Sequence, residues 1–343
     1  MRYRFYTTSQ SAWKGMLSAI SGATKSVYLE MYAFQGDTKG FDFLSVLSDK
    51  ARAGVRVVLI LDSFGSYGLS SEVVQTLRRA GVEVLFFSYW FRRLHRKILI
   101  VDESVVFLGG VNISGAYAPW KDLQVRIKGK RLLASSLRSF ARVYKECGGR
   151  KNVELSFLAG KKPVLRKARA WFIEHGIGGR WLGIREQYEE NIRKAQQSIV
   201  LVTPYFFPRR WLLARLHEAI LRGVLVEIMV PQNTDNGWIM NRINYFQIAF
   251  FEKLGAVGFL SREMNHAKVL LIDDHVGMVG SGNLDPLSFG WNAEAGVFFD
   301  RPVMVRDLHR ILEVWKTDSV LFTPEMFRSR WYDFLLLFAR RIF

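Results

Sequence analysis

Two copies of a histidine–lysine pair carry the residues of this sequence that are best suited to chemistry. In each copy the lysine stands two residues after the histidine, so both side chains share one face of an extended strand. An apolar run and an aspartate follow, and then a glycine and an asparagine at matched spacing. The copies are His95, Lys97, Asp102, Gly109 and Asn112 in the first half and His266, Lys268, Asp273, Gly280 and Asn283 in the second. Five matching residue types make coincidence a weak explanation, so the segments are repeats.

The paired residues suit phosphoryl transfer. Two histidines can act as a nucleophile and a general acid, while two lysines and two asparagines can stabilise the phosphate oxygens as negative charge moves. A lone His-x-Lys pair would most often be a surface feature, but the duplication argues against that interpretation. The sequence contains no Walker-type phosphate loop and no carboxylate cluster suited to Mg²⁺, so we expect no metal and no other cofactor. Neither repeat is complete alone, which predicts a site where the halves meet.

The elements around these residues alternate as in an α/β protein. In each half a helix precedes an apolar strand, and a second helix and strand follow before the histidine. The predicted helices are 9–24, 41–53, 184–196 and 211–222, and the predicted strands are 27–32, 55–61, 199–203 and 224–230. We therefore expect one α/β domain over 1–150, a linker over 151–180 and a second α/β domain over 181–343. A repeat this long indicates a duplicated domain, because solenoid units run about 20 to 50 residues.

Composition and charge restrict the class of protein. The 343 residues are 49% hydrophobic and 23% charged, which excludes a disordered chain. The net charge of +18 predicts an anionic partner, either a membrane surface or nucleic acid. The single cysteine, Cys147, excludes an intrachain disulfide and a zinc site of several thiolates, and we expect it to be unreactive. No run reaches the roughly 18 to 20 apolar residues of a spanning helix. The first residues lack a secretory signal, so we expect the chain on the cytoplasmic side.

Both repeats match the HxKxxxxD signature of the phospholipase D superfamily, which the sequence resembles over nearly its whole length. The signature continues as Gly109-Gly110-Val111-Asn112 in the first half and Gly280-Ser281-Gly282-Asn283 in the second. Three further segments, TPYFFP at 203–208, GNLDPLSF at 282–289 and WNAE at 291–294, resemble the bacterial cardiolipin synthase branch. The resemblance implies two α/β/α sandwich domains related by a pseudo-twofold axis, with one shared active site at their interface.

The resemblance also implies roles for individual residues. His95 would be the nucleophile that forms a phosphatidyl-histidine intermediate. His266 would protonate the leaving glycerol and then activate the acceptor hydroxyl, although this order is less secure than the pair itself. The remaining implied roles are phosphate binding for Lys97, Lys268, Asn112 and Asn283, structural support for Asp102 and Asp273, and orientation of a histidine for Asp122 and Glu294. The halves differ in two of these positions, since Gly110 stands where the second half has Ser281, and Asp122 where it has Glu294.

These observations predict a peripheral membrane phosphatidyltransferase of cardiolipin synthase type. Phosphatidylglycerol would be the donor and a glycerol hydroxyl of a second phospholipid the acceptor, while a pairing of phosphatidylethanolamine with phosphatidylglycerol and a smaller alcohol acceptor stay open as alternatives. An anionic membrane would be the partner, with no obligate protein partner implied. One alternative is a phosphodiesterase of the same superfamily that hydrolyses phospholipid or nucleic acid, and phosphate contacts would then explain the charge. Another is a binding protein with an inactive site, which two intact motifs argue against.

Two aromatic stretches are candidates for lipid contact. Residues 330–343 are predicted to form an amphipathic helix that lies in a membrane interface or docks on the core, with equal weight. Residues 236–254 could line an acyl-chain channel, contact lipid or pack in the core. The histidines without a repeat partner are expected to be surface or structural residues: His175, His217, His275 and His309.

Overall fold

Two mixed β-sheets organise the computed structural model, which describes residues 1–35, 38–149, 169–176, 183–331 and 333. The elements of the first half are β1 (Arg2–Thr8), α1 (Ser9–Ser21), β2 (Ser26–Met31), α2 (Phe43–Arg52), β3 (Arg56–Asp62), α3 (Ser71–Arg79), β4 (Glu83–Phe87), β5 (Lys97–Val101), β6 (Val105–Gly109), β7 (Lys121–Lys128) and α4 (Lys130–Glu146). Those of the second half are β8 (Ala170–His175), α5 (Gly183–Lys194), β9 (Ser198–Val202), α6 (Arg210–Leu221), β10 (Leu225–Pro231), α7 (Gly237–Glu252), β11 (Val257–Ser261), β12 (Val269–Ile272), β13 (Val276–Gly280), β14 (Glu294–Phe299), α8 (Pro302–Thr317) and β15 (Ser319–Leu321).

The strand order of one sheet repeats in the other. The first sheet runs β1-β7-β6-β5-β2-β3-β4, and the second runs β15-β11-β10-β9-β12-β13-β14-β8. In both, three neighbouring strands are parallel, β2-β3-β4 and β9-β10-β11, and the strand that follows each histidine is antiparallel to the first of them. The prediction of a duplicated α/β fold is therefore confirmed.

Alternate residues of each central strand face opposite layers of its half. Val27 and Leu29 of β2 pack with α1, α2 and α3, whereas Tyr28 points to the opposite face. Likewise Ile199 of β9 packs with α5, α6 and α7, and Val200 joins the same inner cluster as Tyr28. That inner cluster also contains α4 and α8, so it lies between the two sheets. The halves therefore share one continuous core and pack against each other through their inner faces.

Three predicted segments can be compared with the structure individually. Residues 170–175, assigned above to the linker, form β8, an edge strand that pairs antiparallel with β14 of the second sheet. The strand was missed because the strand that it pairs with in the described part of the chain is distant in sequence. Most of the predicted C-terminal helix lies outside the described residues. The stretch 236–254 forms α7, which buries Ile243, Ile248 and Phe251 in the core while Trp238 stays exposed. None of the helices in the described part of the chain has the length and apolar character needed to cross a membrane.

Candidate active site

Backbone hydrogen bonds between the halves hold both histidines at one interface. The amide of His95 donates to the carbonyl of Ala293 at 3.0 Å, and the amide of Ala293 donates to the carbonyl of Arg93 at 2.7 Å. In the same way His266 donates to the carbonyl of Lys121 at 2.8 Å, and Lys121 donates to the carbonyl of Met264 at 3.0 Å. Each histidine segment thus pairs with the start of a strand from the other half, so neither half can build its own corner of the site.

This cross-pairing places a carboxylate of one half on the histidine of the other. Glu294, at the start of β14, has its carboxylate oxygens 2.9 and 3.1 Å from Nδ1 of His95. Asp122, on β7, has Oδ2 at 2.8 Å from Nδ1 of His266. A carboxylate that accepts a hydrogen bond from Nδ1–H fixes the tautomer in which Nδ1 is protonated and Nε2 carries the lone pair. Both imidazoles are therefore arranged to act on a substrate through Nε2.

Burial keeps both histidines neutral. Desolvation, supported by the positive charge of Lys97, lowers the pKa of His95 to about 4 although Glu294 opposes the shift. Desolvation and the charge of Lys268 lower the pKa of His266, again against its carboxylate partner. A neutral imidazole is the form required of a nucleophile or a general base, and the shift supplies it across the physiological range of pH.

The two lysines converge on the space beside the histidines. Lys97 Nζ donates to the carbonyl of His95 at 2.8 Å, and Lys268 Nζ donates to the carbonyl of His266. Burial, and after it the charge of Lys268, lowers the pKa of Lys97 well below its usual value. Burial also lowers the pKa of Lys268 to about 8. These lowered pKa values mean that burial disfavours the charged form of both lysines, and an anion between them, such as a phosphodiester, would favour it.

The asparagines flank this space less symmetrically. Asn112 is anchored by its backbone, since its carbonyl accepts from the indole nitrogen of Trp13 at 2.7 Å, and its side-chain oxygen accepts from the amide of Ala33 at 3.3 Å. Asn283 is anchored by its amide, which donates to Ser288 Oγ at 3.0 Å. Both side chains are buried at the ends of the glycine-rich turns, where the sequence predicted phosphate binding.

The motif aspartates lie at the far ends of β5 and β12, away from the histidines. The carboxylate of Asp102 accepts hydrogen bonds from the backbone amides of Thr24, Lys25 and Ser26, which lead into β2. Asp273 accepts equivalent bonds from Gln196, Gln197 and Ser198, which lead into β9. Both aspartates adopt positive φ, 49° and 50°, a region that Asp tolerates better than most residues. Both carboxylates therefore connect the end of a motif strand to the start of the neighbouring strand.

Two aromatic contacts were not predicted from the sequence. The ring of Tyr32 lies edge-on to His95 with centroids 4.8 Å apart, and Lys97 Nζ lies 5.0 Å from the Tyr32 centroid. The ring of Trp120 lies 5.1 Å from that of His266. Tyr32 ends a predicted strand and Trp120 comes two residues before Asp122, but neither position is repeated in the other half, so the repeat gave no signal.

The remaining candidates lie elsewhere or have ordinary partners. His175 is fully buried in β8, and His309 contacts Asp274 at 2.7 Å on the surface. Burial raises the pKa of Cys147 to about 12, which suits an unreactive thiol. Within the described ranges, no group of three or more His, Cys, Asp or Glu side chains is arranged to hold a metal ion.

Comparisons with known proteins identify the family of the chain. A family model described as cardiolipin synthase, PLD-like domain, matches residues 16–144 and 188–315, one segment in each half. Cardiolipin synthase of Halalkalibacterium halodurans is 28% identical over 95% of this chain and 68% of its own length. Cardiolipin synthase of Clostridium perfringens is 31% identical over 85% of this chain and 66% of its own length. The chain thus spans about two thirds of the length of these relatives.

A solved structure shares the fold. Phosphatidylserine synthase of Haemophilus influenzae superposes with a TM-score of 0.78, covering 98% of this chain and 93% of that protein at 17% identity. At this identity the similarity concerns the fold, and it supports the arrangement of two halves around a shared interface.

Proposed function

This chain belongs to the cardiolipin synthase family of phospholipase D-like enzymes, and from that premise we propose that it transfers phosphatidyl groups between phospholipids. The donor is phosphatidylglycerol and the acceptor is the glycerol hydroxyl of a second phospholipid, at the surface of an anionic membrane on its cytoplasmic side. The observation that carries the proposal is the crossed arrangement in which each histidine is held at Nδ1 by a carboxylate of the other half, beside two buried lysines.

The first step forms a covalent enzyme intermediate. Nε2 of His95 attacks the phosphorus of phosphatidylglycerol, the bond from phosphorus to the glycerol oxygen breaks, and His266 donates a proton to the leaving glycerol. Lys97 and Lys268 stabilise the negative charge on the non-bridging oxygens. Binding of the anionic phosphodiester offsets the lysine charges that lower the pKa of His266, so the histidine can carry the proton that this step requires.

The second step reverses the proton transfer. His266, now neutral, removes a proton from the acceptor hydroxyl, whose oxygen attacks the phosphorus, and the bond between phosphorus and His95 breaks. Glu294 holds His95 in one orientation through both steps, and Asp122 does the same for His266. The products are a lipid with two phosphatidyl groups and the free enzyme, with protons and bonds balanced over the cycle.

The test uses purified protein and phosphatidylglycerol vesicles, with products measured by mass spectrometry. We expect cardiolipin and free glycerol from the wild type, and loss of turnover by at least about a thousandfold in both His95→Ala and His266→Ala, because residues that act as a unit fail together. In a single turnover of radiolabelled phosphatidylglycerol quenched in alkaline detergent, where a phosphohistidine is stable, label should be trapped on the wild-type protein and be absent from His95→Ala.

Each alternative result has a defined meaning. Phosphatidic acid without cardiolipin would make water the acceptor and the protein a phospholipase. More than a tenth of wild-type activity in either histidine variant would contradict the two-histidine mechanism. Absence of any lipid product would reject phosphatidyl transfer and direct the same variants to single-stranded nucleic acid.

A further inference from the structure

Exposed aromatic side chains are concentrated at the edge of the sheets where the active site lies. Lys97 at the start of β5 pairs with Met31 at the end of β2, so His95 lies at the carboxyl edge of the parallel strands β2, β3 and β4. The loops that follow β3 and β4 leave the fold at this edge. The loop between β13 and β14 leaves there too, since Val279 of β13 pairs with Val269 at the start of β12.

The exposed aromatic residues are distributed unevenly over the surface. Seven of the nine exposed aromatic residues in the described ranges lie on these loops or at the equivalent edge of the second half: Phe64, Tyr67, Tyr89, Trp90, Phe91, Trp238 and Trp291. Only Phe250 and Trp331 lie elsewhere. The most prominent are Trp90, with 82% of its surface exposed, and Phe91, with 70%. Exposed apolar surface of this extent marks an interaction site in a folded protein.

Side-chain contacts connect several of these aromatics near His95. The rings of Phe91 and Trp291 lie 6.3 Å apart, and the guanidinium of Arg93 lies 4.4 Å from the ring of Phe64. The Phe91 and Trp291 loops are also fixed by the backbone bonds of Arg93 and Ala293 described above. We call this the rim surface, and it consists of Phe64, Tyr67, Trp90, Phe91, Leu287 and Trp291.

The charge of the rim surface suits an anionic membrane. The three loops that supply it, 63–69, 88–93 and 286–292, contain two arginines and no aspartate or glutamate, and one of these arginines, Arg92, is ion-paired with Glu146 outside the loops. Aromatic residues outnumber cations in these loops, which favours an interface with lipid over a groove for a nucleic-acid backbone. Trp and Tyr are enriched where hydrocarbon meets headgroups, and nearby arginines are attracted to anionic lipid.

We infer that the rim surface docks on an anionic phospholipid bilayer and inserts Trp90 and Phe91 into its interfacial region. The site edge then faces the lipid, and a phospholipid headgroup reaches His95 and His266 while its acyl chains stay in the membrane. The inference rests on the proposed function for the identity of the substrate, but docking is measured by binding, so the two can fail separately.

The experiment compares two double variants of the full chain. Sedimentation with vesicles of phosphatidylglycerol and phosphatidylcholine should show Trp90→Ser/Phe91→Ser binding at least about tenfold more weakly than the wild type, because two large apolar side chains no longer leave water. The matched control, Leu221→Ser/Leu225→Ser, removes two exposed apolar residues at the opposite edge, where α6 ends and β10 begins, and should bind as the wild type does. Turnover of the rim variant should fall on vesicles and be retained on short-chain, water-soluble phospholipid.

Several outcomes would overturn docking. Docking would be wrong if Trp90→Ser/Phe91→Ser bound vesicles as well as the wild type, or if the control variant lost vesicle binding to the same extent. It would also be wrong if light scattering showed that the wild type is a dimer and the rim variant a monomer. A rim variant that lost only its binding to a labelled single-stranded oligonucleotide would contradict docking as well. Weakened vesicle binding in the rim variant alone would support docking even if the wild type made no lipid product, which would reject only the proposed function. Conversely, cardiolipin formation with unchanged binding would reject only the rim surface.

Discussion

The surroundings of His95 and His266 consist of equivalent residues that differ in size. His95 contacts both oxygens of Glu294, and Ser281 Oγ donates to the same carboxylate. His266 contacts one oxygen of Asp122, whose other oxygen accepts from the amide of Leu123 at 2.7 Å. The longer glutamate extends past a serine, whereas the shorter aspartate keeps its carboxylate close to the backbone.

The small residue beside each carboxylate explains the difference. A Cβ atom at Gly110 would lie 2.2 Å from Oδ1 of Asp122, so a side chain there would displace the Asp122 carboxylate. At the equivalent position Ser281 fits because Glu294 carries its charge one methylene further away. Gly110 with Asp122 and Ser281 with Glu294 are therefore matched pairs, two solutions to the same task of holding a buried histidine.

The largest effect should come from removing the carboxylate charge while keeping its shape. Glu294→Gln and Asp122→Asn place an amide against Nδ1, and an amide that donates there moves the imidazole proton to Nε2, where the lone pair is needed. We expect turnover to fall at least about a hundredfold in each. Initial rates on phosphatidylglycerol vesicles measure the loss.

The two variants should also separate the roles of the halves. Glu294→Gln should slow formation of the labelled phosphatidyl-enzyme with every donor, because it acts on the nucleophile, whereas the loss in Asp122→Asn should shrink with a donor whose leaving group needs no proton, such as p-nitrophenol. Unchanged vesicle binding serves as the folding control for both variants. A rate within threefold of wild type in either variant would show that the corresponding carboxylate does not orient its histidine.

A smaller and unequal effect should follow from altering the matched pairs. Gly110→Ala forces the Asp122 carboxylate away from its position against His266, and turnover should fall by about tenfold or more, since about 1.4 kcal/mol of lost stabilisation is a factor of ten. Ser281→Ala removes one hydrogen bond to Glu294 and leaves the His95 contact in place, so about a threefold to tenfold loss is expected. Steady-state rates of the two alanine variants, measured side by side, test the asymmetry. If Ser281→Ala lost more turnover than Gly110→Ala, the close approach of Gly110 to Asp122 would not be what keeps the Asp122 carboxylate in place.

The sequence predicted the elements with a periodic apolar pattern and the residues that occur in both repeats. The strand predicted at 55–61 is β3, Arg56–Asp62, because a buried parallel strand reads as a continuous apolar run. The histidines, lysines and asparagines were identified because the chain contains each of them twice at the same spacing. The pairing of Asp122 and Glu294 across the halves came only with the family resemblance, since nothing in local sequence connects a residue to a histidine of the other repeat.

The features that escaped prediction depend on contacts between distant segments without a repeat. The edge strands β1 and β8 pair with β7 and β14, far away along the chain. Tyr32 contacts His95 because β2 and β5 are neighbours in the first sheet, whereas Trp120 contacts His266 because the two halves close on each other. The complete burial of two charged residues, Glu30 and Arg96, was also not predicted.

Glu30 and Arg96 form the second difference between the halves. Their side chains lie on the inner face of the first sheet, with Arg96 Nε 2.9 Å from Glu30 Oε2. Arg96 also donates to Ser139 Oγ at 2.7 Å, and Ser139 donates to Glu174 on β8, so the charges connect the first half to the second sheet. At the equivalent positions the second half has apolar residues, Val202 and Ala267.

The smallest effect concerns the pH dependence of stability that this buried pair creates. Burial raises the pKa of Glu30 from 4.5 to about 7, although Arg96 opposes the shift. A carboxyl group whose pKa is higher in the folded protein than in the unfolded chain favours folding in its protonated form. Its contribution is therefore complete below pH 4.5 and is lost as the pH rises through about 7. Between pH 6 and pH 8 the expected loss in unfolding free energy is about 1 kcal/mol.

Urea denaturation of wild type and Glu30→Gln at those two pH values measures this contribution. The variant keeps the neutral state at both, so its unfolding free energy should decline less than that of the wild type, whereas Glu72→Gln, on the exposed first turn of α3, should follow the wild type. Equal declines in the unfolding free energy of wild type and Glu30→Gln would mean that Arg96 keeps Glu30 ionised. A carboxylate that is charged in both the folded and the unfolded protein contributes no pH dependence between pH 6 and pH 8. The pair would then be a buried ion pair that replaces the apolar contact of Val202 and Ala267, and removing Arg96 alone should cost about 3 to 5 kcal/mol by leaving the charge of Glu30 uncompensated.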